Sequence, residues 1–259
     1  MRRMLMTIAV CAFSLAAAEL PFTGTWRVDL NKLQAPKKPS EYELGNGVFR
    51  CLTCDPKVEV KADGQDQPVA GHPAFDTMNV RIVDDKVVES TAKKGGKLVG
   101  KRKVTVSADL NHAVAESTGY PPNSAEPVSS KVELKRVGAP KPGMHASSGA
   151  WVMDKMDNLS ENARDIVYEQ TPDGLSAKDS TGFSYSAKFD GKDYPVLGDR
   201  SADSIVLKRI DDRTIEGTFK YQGKIRVTTQ ETVSMDGKTL TLQWQDSAGF
   251  SGTVIAVKK

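Results

Sequence analysis

DGQDQPVAGHPAFD at Asp63–Asp76 and DGKDYPVLGDRSAD at Asp190–Asp203 are two versions of one stretch, 127 positions apart. The match continues through DDKVVESTAK at Asp84–Lys93 and DDRTIEGTFK at Asp211–Lys220. Pairing each position from Asp63 to Asp109 with the residue 127 later gives 18 identities in 47. A solenoid repeat is far shorter, roughly 20–50 residues, because its unit cannot bury its own face. The longer period marks a duplicated domain. Upstream, Gly24-Thr25-Trp26 and Gly149-Ala150-Trp151 open the two copies with a shift of two residues.

Within each copy the hydrophobic period is two. TIEGTFKYQ, KIRVTTQETVS, TLTLQWQD and GTVIAVKK in the second copy alternate apolar and polar residues, and Gln222-Gly223, Asp236-Gly237 and Ala248-Gly249 separate them as hairpin turns. The first copy reads likewise through TWRVDL, VFRCL, KVEVKAD, TMNVRIV, KLVGKRKVTVS and SKVELKRV. One turn of helix is expected near Asp157–Asp165. Eight to nine short strands with short connections predict an all-β fold of two tandem up-and-down antiparallel barrels, since closure removes exposed edges. A β-sandwich is the alternative. The expected boundaries are a leader at 1–18, barrels at 19–137 and 149–259, and a Pro/Gly/Ser linker, GAPKPGMHASS, at 138–148.

The leader reads MRRMLMTIAVCAFSLAAAEL: Arg2 and Arg3, an apolar run from Met4 to Leu15, and small residues at Ala16–Ala18. That is the order of a secretory signal peptide cleaved near Ala18. Val10 stands where lipidation of Cys11 would need a small residue. The chain is thus expected to be exported, periplasmic or secreted, with no stable membrane insertion. Without Arg2 and Arg3 the chain has 34 basic and 33 acidic residues, which gives a nucleic-acid partner no electrostatic support.

Cys51-Leu52-Thr53-Cys54 occurs only in the first copy and is expected to form a local disulfide. A redox centre would sit at a helix N-terminus, and this segment reads as strand into turn. Haem attachment would need His where Asp55 stands. A zinc site would have to draw on His72, His112 and His145; none is assigned, and His72 and His112 are expected at the surface. Asp63 with Asp66, and Asp190 with Asp193, could suggest calcium or acid–base chemistry, but Asp-Gly, Pro68, Pro195, Gly71 and Gly198 spell turn, short strand, turn. Ser90-Thr91-Ala92-Lys93 lies on a strand without the companion motifs of a serine acylase. No catalytic residue, metal or cofactor is assigned, and a non-enzymatic role is expected.

Trp26 and Trp151 are each expected to plug the closed end of a barrel, with Arg136 or Lys258 from a last strand lying across the indole. With Gly24-Thr25-Trp26 and those basic residues the chain resembles the lipocalin-like superfamily, though Thr-Asp-x-x-Tyr is absent. It is also similar throughout to tandem, signal-bearing bacterial proteins of unknown function that share Gly-Thr-Trp, Asp-Gly-x-Asp-x-Pro-Val-x-Gly and Ser-x-Asp-Gly-Lys-Thr, the last here at Ser234–Thr239. The resemblance strengthens the barrel fold and leaves function open; from barrel width alone, each interior is expected to offer an apolar site to a small hydrophobic molecule. The alternative is an envelope structural or interaction module with packed barrels. The features of the first copy alone, Cys51, Cys54 and the GYPPNSAEP insertion from Gly119, are expected to carry any specialisation.

Overall fold

A computed structural model describes residues Leu20–Lys259; the leader, with Arg2, Arg3, Cys11 and Ala18, lies outside them. The strands of the first half are β1 (Gly24–Val28), β2 (Ser40–Gly45), β3 (Val48–Cys51), β4 (Val58–Lys61), β5 (Gln67–Pro68), β6 (Thr77–Ile82), β7 (Val87–Lys94), β8 (Lys97–Val106), β9 (His112–Gly119) and β10 (Val128–Val137). The second half has β11 (Gly149–Leu159), β12 (Asp165–Thr171), β13 (Gly174–Asp179), β14 (Ser184–Lys188), β15 (Asp193–Leu197), β16 (Ser204–Arg209), β17 (Thr214–Tyr221), β18 (Lys224–Val233), β19 (Thr239–Asp246) and β20 (Ser251–Lys258). A 3-10 turn at Glu161–Ala163 fills the place where a turn of helix was expected. The fold is all-β, and every pairing between these strands is antiparallel.

The sheets do not follow the linear division of the sequence. β1 is inserted between β12 and β20, pairing Trp26 with Ile166 on one side and with Lys258 on the other, and so closes the barrel of the second half. β11, the corresponding strand of the second copy, pairs with β10 and β2 in the first barrel. The first barrel is therefore the continuous run Ser40–Leu159, and the second is assembled from Gly24–Val28 and Asp165–Lys258. This corrects the boundaries read from the repeat, 19–137 and 149–259.

The cause is local. β10 and β11 are sequential and form a hairpin, Arg136 opposite Trp151 and Val137 opposite Ala150, and neighbours in sequence that can pair usually do. Once β11 is taken by the first barrel, the second needs β1 to close. Gly138–Ser148, expected to be an inter-domain linker, is instead the loop of that hairpin and is folded back on its barrel. Ser147 and Ser148 are buried, Ser148 Oγ accepts from the Leu44 N–H (2.9 Å), and the His145 ring contacts the Asp84 carbonyl (2.8 Å). The chain passes between barrels at 29–39 and 160–164.

The second barrel is closed and the first nearly so. In the second, β15 pairs with β14 and β16. In the first, β5 is two residues long and pairs only with β6. The gap between β4 and β6 is spanned by the duplicated stretch itself: Asp63 bridges Arg81, and the Gly64 N–H donates to the Val80 carbonyl (2.9 Å).

Candidate functional site

Each expected tryptophan lies under a cation, and the partners follow the sheets. The Arg136 guanidinium is 4.1 Å from the Trp151 ring centroid, and Lys258 Nζ is 5.3 Å from that of Trp26. The sequence division had set Trp26 with Arg136 and Trp151 with Lys258; the exchange of opening strands reverses this. Both tryptophans are buried and donate Nε1–H to a carbonyl four residues back, Phe22 (2.6 Å) or Ser147 (2.9 Å). The same geometry explains the glycine of the motif. Gly24 and Gly149 have φ of +128° and +123°, and a Cβ on them would meet Lys258 Cε at 2.9 Å or Arg136 Nη1 at 2.5 Å. A side chain there would displace the cation that covers the indole.

The duplicated aspartates serve turns and ion pairs. Asp63 and Asp190 accept the backbone N–H two residues on, from Gln65 (2.9 Å) and Lys192 (3.1 Å). Asp66 pairs with Lys93, and Asp193 with the equivalent Lys220. Asp76 and Asp203 accept from the Gly95 and Gln222 N–H groups (2.8 and 2.7 Å). Their repetition is a repetition of corner geometry. Among the described residues no three His, Cys, Asp or Glu side chains converge as a metal site. His112 is exposed beside Asp109, whereas His72 is half-buried and stacks on Phe75 at 3.8 Å. Burial, with Arg226 and Lys94 nearby, pulls the His72 pKa down to about 4.

Cys51 and Cys54 form a disulfide. The turn it closes carries Asp55 to the second barrel, where its carboxylate receives Arg226 Nη1 (3.0 Å) and Ser247 Oγ (2.8 Å). The insertion found only in the first copy does the same. Pro127 O accepts from Asn162 Nδ2 (3.1 Å), and Asn123 leaves no room for a Cβ on Gly182. The two features that distinguish the copies thus join the barrels.

The interiors differ. The second holds one continuous apolar cluster that includes Phe22, Trp26, Tyr168, Leu175, Ile205, Leu207, Ile215 and Leu240, with Phe183 and Phe219 packed against it. Inside it lies one carboxylate. Glu231 is buried and accepts from Tyr168 Oη (2.7 Å), and burial raises its pKa to about 7 despite that bond. The first interior breaks into two smaller clusters, around Leu44, Val58 and Val80 and around Val106 and Trp151. Between them is an apolar cavity of about 230 Å³ bordered by Tyr42, Phe49, Met78, Val88 and Val104. The disulfide forms part of its wall.

The repeat explains the space. Val58, Val80, Val88 and Ala92 stand where the second barrel has Tyr185, Leu207, Ile215 and Phe219, 127 positions on. Phe75 in place of Ala202 restores only part of the lost volume. Larger and more open hollows of about 710 and 640 Å³ lie at equivalent places on the second and first barrels, one bordered by Gly217, Thr229 and Trp244 and the other by Ser90, Arg102 and Ser117, with mostly polar residues around them. They are open and mostly polar, so a ligand there would remove little apolar surface from water. The smaller, apolar-lined cavity is the better candidate, because a ligand in it removes apolar surface from water.

Comparison with protein-family models and with curated proteins returns no match. One cavity-lining residue escapes a search for motifs. Arg102 lies among the valines of the first interior, and its only signal was its place in KRKVTV, on the face of the strand that also bears Val104 and Val106.

Proposed function

We propose that the protein is an exported, non-enzymatic binding protein whose first barrel takes one small hydrophobic or amphiphilic molecule, the second barrel serving as a packed scaffold. The observation that supports this best is the asymmetry between two copies of one fold, the hollow one lined by apolar side chains. At about 30 Å³ per water, 230 Å³ is the volume of roughly eight waters, which fits a ligand of about that many heavy atoms. The composition of the leader and the disulfide support export. The packed second interior favours the structural-module reading for that half alone.

The test fills the cavity with side chains that the sister barrel already accommodates. Mature protein should bind one 1-octanol per chain by titration calorimetry. A Val58→Tyr/Val80→Leu/Val88→Ile variant should bind it at least about tenfold more weakly, since a filled cavity offers no apolar surface. Unchanged affinity in the variant would place the ligand elsewhere, and absence of binding to the wild type would overturn the reading.

A further inference from the structure

Arg102 sits in β8 with its side chain on the interior face, beside the cavity. Alternation fixes that direction: Val104 and Val106, two and four residues on, belong to the interior clusters. Its strand neighbours on either side are Ser90 and Ser117. Ser90 also borders the cavity. Ser117 shares its face with the buried Ala113 and Ala115, and its hydroxyl is 3.4 Å from Arg102 Nη1. Among the described residues Ser117 is the side-chain hydrogen-bond partner of the guanidinium, and no carboxylate lies within ion-pair distance of it. Glu89 and Glu116, the nearest acids in sequence register, alternate to the outer face, and Glu89 is paired with Arg81. Arg102 is half-buried and borders both the apolar cavity and the open hollow of about 640 Å³ beside it.

A half-buried guanidinium beside an apolar space forgoes part of its hydration without receiving an anion in return. Five N–H donors in a planar fork match a carboxylate in particular. The second barrel lacks the arrangement: Thr229, Gly217 and Trp244 stand where the first has Arg102, Ser90 and Ser117. Outside the barrel, Lys97, Lys101 and Lys103 lie on the same strand, and Glu89 and Glu116 stand opposite Lys103 on its two neighbours, so that face is of mixed charge and Arg102 is the cation on the interior side.

We infer that the ligand of the first barrel is a short-chain amphiphilic monocarboxylate, its apolar chain in the cavity and its carboxylate on the Arg102 guanidinium, with the Ser90 and Ser117 hydroxyls beside it. This rests on the proposed binding function and narrows it to one chemical class. The test compares octanoate with 1-octanol on the full mature chain, as wild type, Arg102→Gln and Arg102→Lys. A charge-assisted pair of about 1.5–3 kcal/mol predicts a loss of octanoate affinity of roughly ten- to a hundredfold in Arg102→Gln. Arg102→Lys should retain part of the affinity. Binding of 1-octanol should change by less than about twofold, which also reports that the variant is folded. Octanoate binding equally well to Arg102→Gln, or 1-octanol binding with no octanoate binding, would overturn the inference and leave the cavity reading standing. If neither probe binds the wild type, both fall.

Discussion

Replacing Trp26 with alanine is expected to unfold strands from the far end of the chain. The side chain is fully buried in the interior of the second barrel, against residues of Asp165–Lys258, under the Lys258 ammonium and bonded to the Phe22 carbonyl. Truncating a buried Trp costs about 3–5 kcal/mol, a large share of the stability of an ordinary domain. Hydrogen exchange should therefore rise in β12 and β20, which flank β1, and remain low in β2 and β10. Trp151→Ala should produce the mirror image, opening β2 and β10 and sparing β20. If Trp26→Ala released β2 and β10 instead, each opening strand would belong to its own copy and the exchange of strands would be wrong.

The second large effect concerns Glu231, and its sign runs against most carboxylates. Ordinary paired carboxylates have lowered pKa values and lose their contribution as the pH falls. Glu231 titrates near 7 in the folded chain, because burial raises it from 4.5. Between those values the native state holds a proton that the unfolded state has released, so stability falls as the pH rises and levels off above about 7. At about 1.4 kcal/mol per tenfold change in proton affinity the whole fall is roughly 3 kcal/mol. Tyr168, whose phenol burial keeps neutral, donates to Glu231 but offsets only part of this.

Glu231→Gln keeps an acceptor for Tyr168 and removes the ionisation. It is expected to match the wild type near pH 4.5 and to exceed it by roughly 3 kcal/mol at pH 8 in urea denaturation. His72 acts in the opposite direction. Its pKa is lowered to about 4, so its contribution is lost as the pH falls from 6.5 toward that value. The difference between wild type and Glu231→Gln cancels it. Identical pH profiles for the two proteins would mean that Glu231 is solvated.

The parts of this architecture that were legible from residues are those that depend on local chemistry. Alternation in TLTLQWQD or KIRVTTQETVS identifies strands, Asp-Gly and Gln-Gly identify their turns, and the offset of 127 shows that the fold occurs twice. The corner role of Asp63 and Asp190 followed from their Gly and Pro neighbours. Strand exchange was not legible, because GTWRV and GAWVM carry the same instruction, to open a barrel under a basic side chain. Neither states which barrel. That choice rests on whether Gly138–Ser148 spans two barrels or folds back as a hairpin loop, and its Pro/Gly/Ser composition suits both.

The candidate site was legible in outline and hidden in detail. A barrel predicts an interior, but whether it is hollow depends on summed volume across strands distant in sequence. Val58, Val88 and Ala92 look like ordinary strand residues until each is set beside Tyr185, Ile215 and Phe219. Arg102 was hidden within a run of cations, where three neighbours point outward and it alone shares the parity of Val104. Cys51-Leu52-Thr53-Cys54 reads as a local bridge from its spacing alone. Its further consequence, holding Asp55 against Arg226, needs the partner barrel in view.

The central claim is that two copies of one barrel have diverged into a filled scaffold and a hollow binding site. Met78 in β6 and Ile205 in β16 are equivalent positions, the first bordering the cavity and the second buried in the packed interior. Methyl-resolved NMR during a titration with 1-octanol compares them within one molecule. The Met78 methyl should shift and saturate at one ligand per chain, while the Ile205 methyl should stay in place. Equal shifts at both methyls, or a shift at Ile205 alone, would contradict the account.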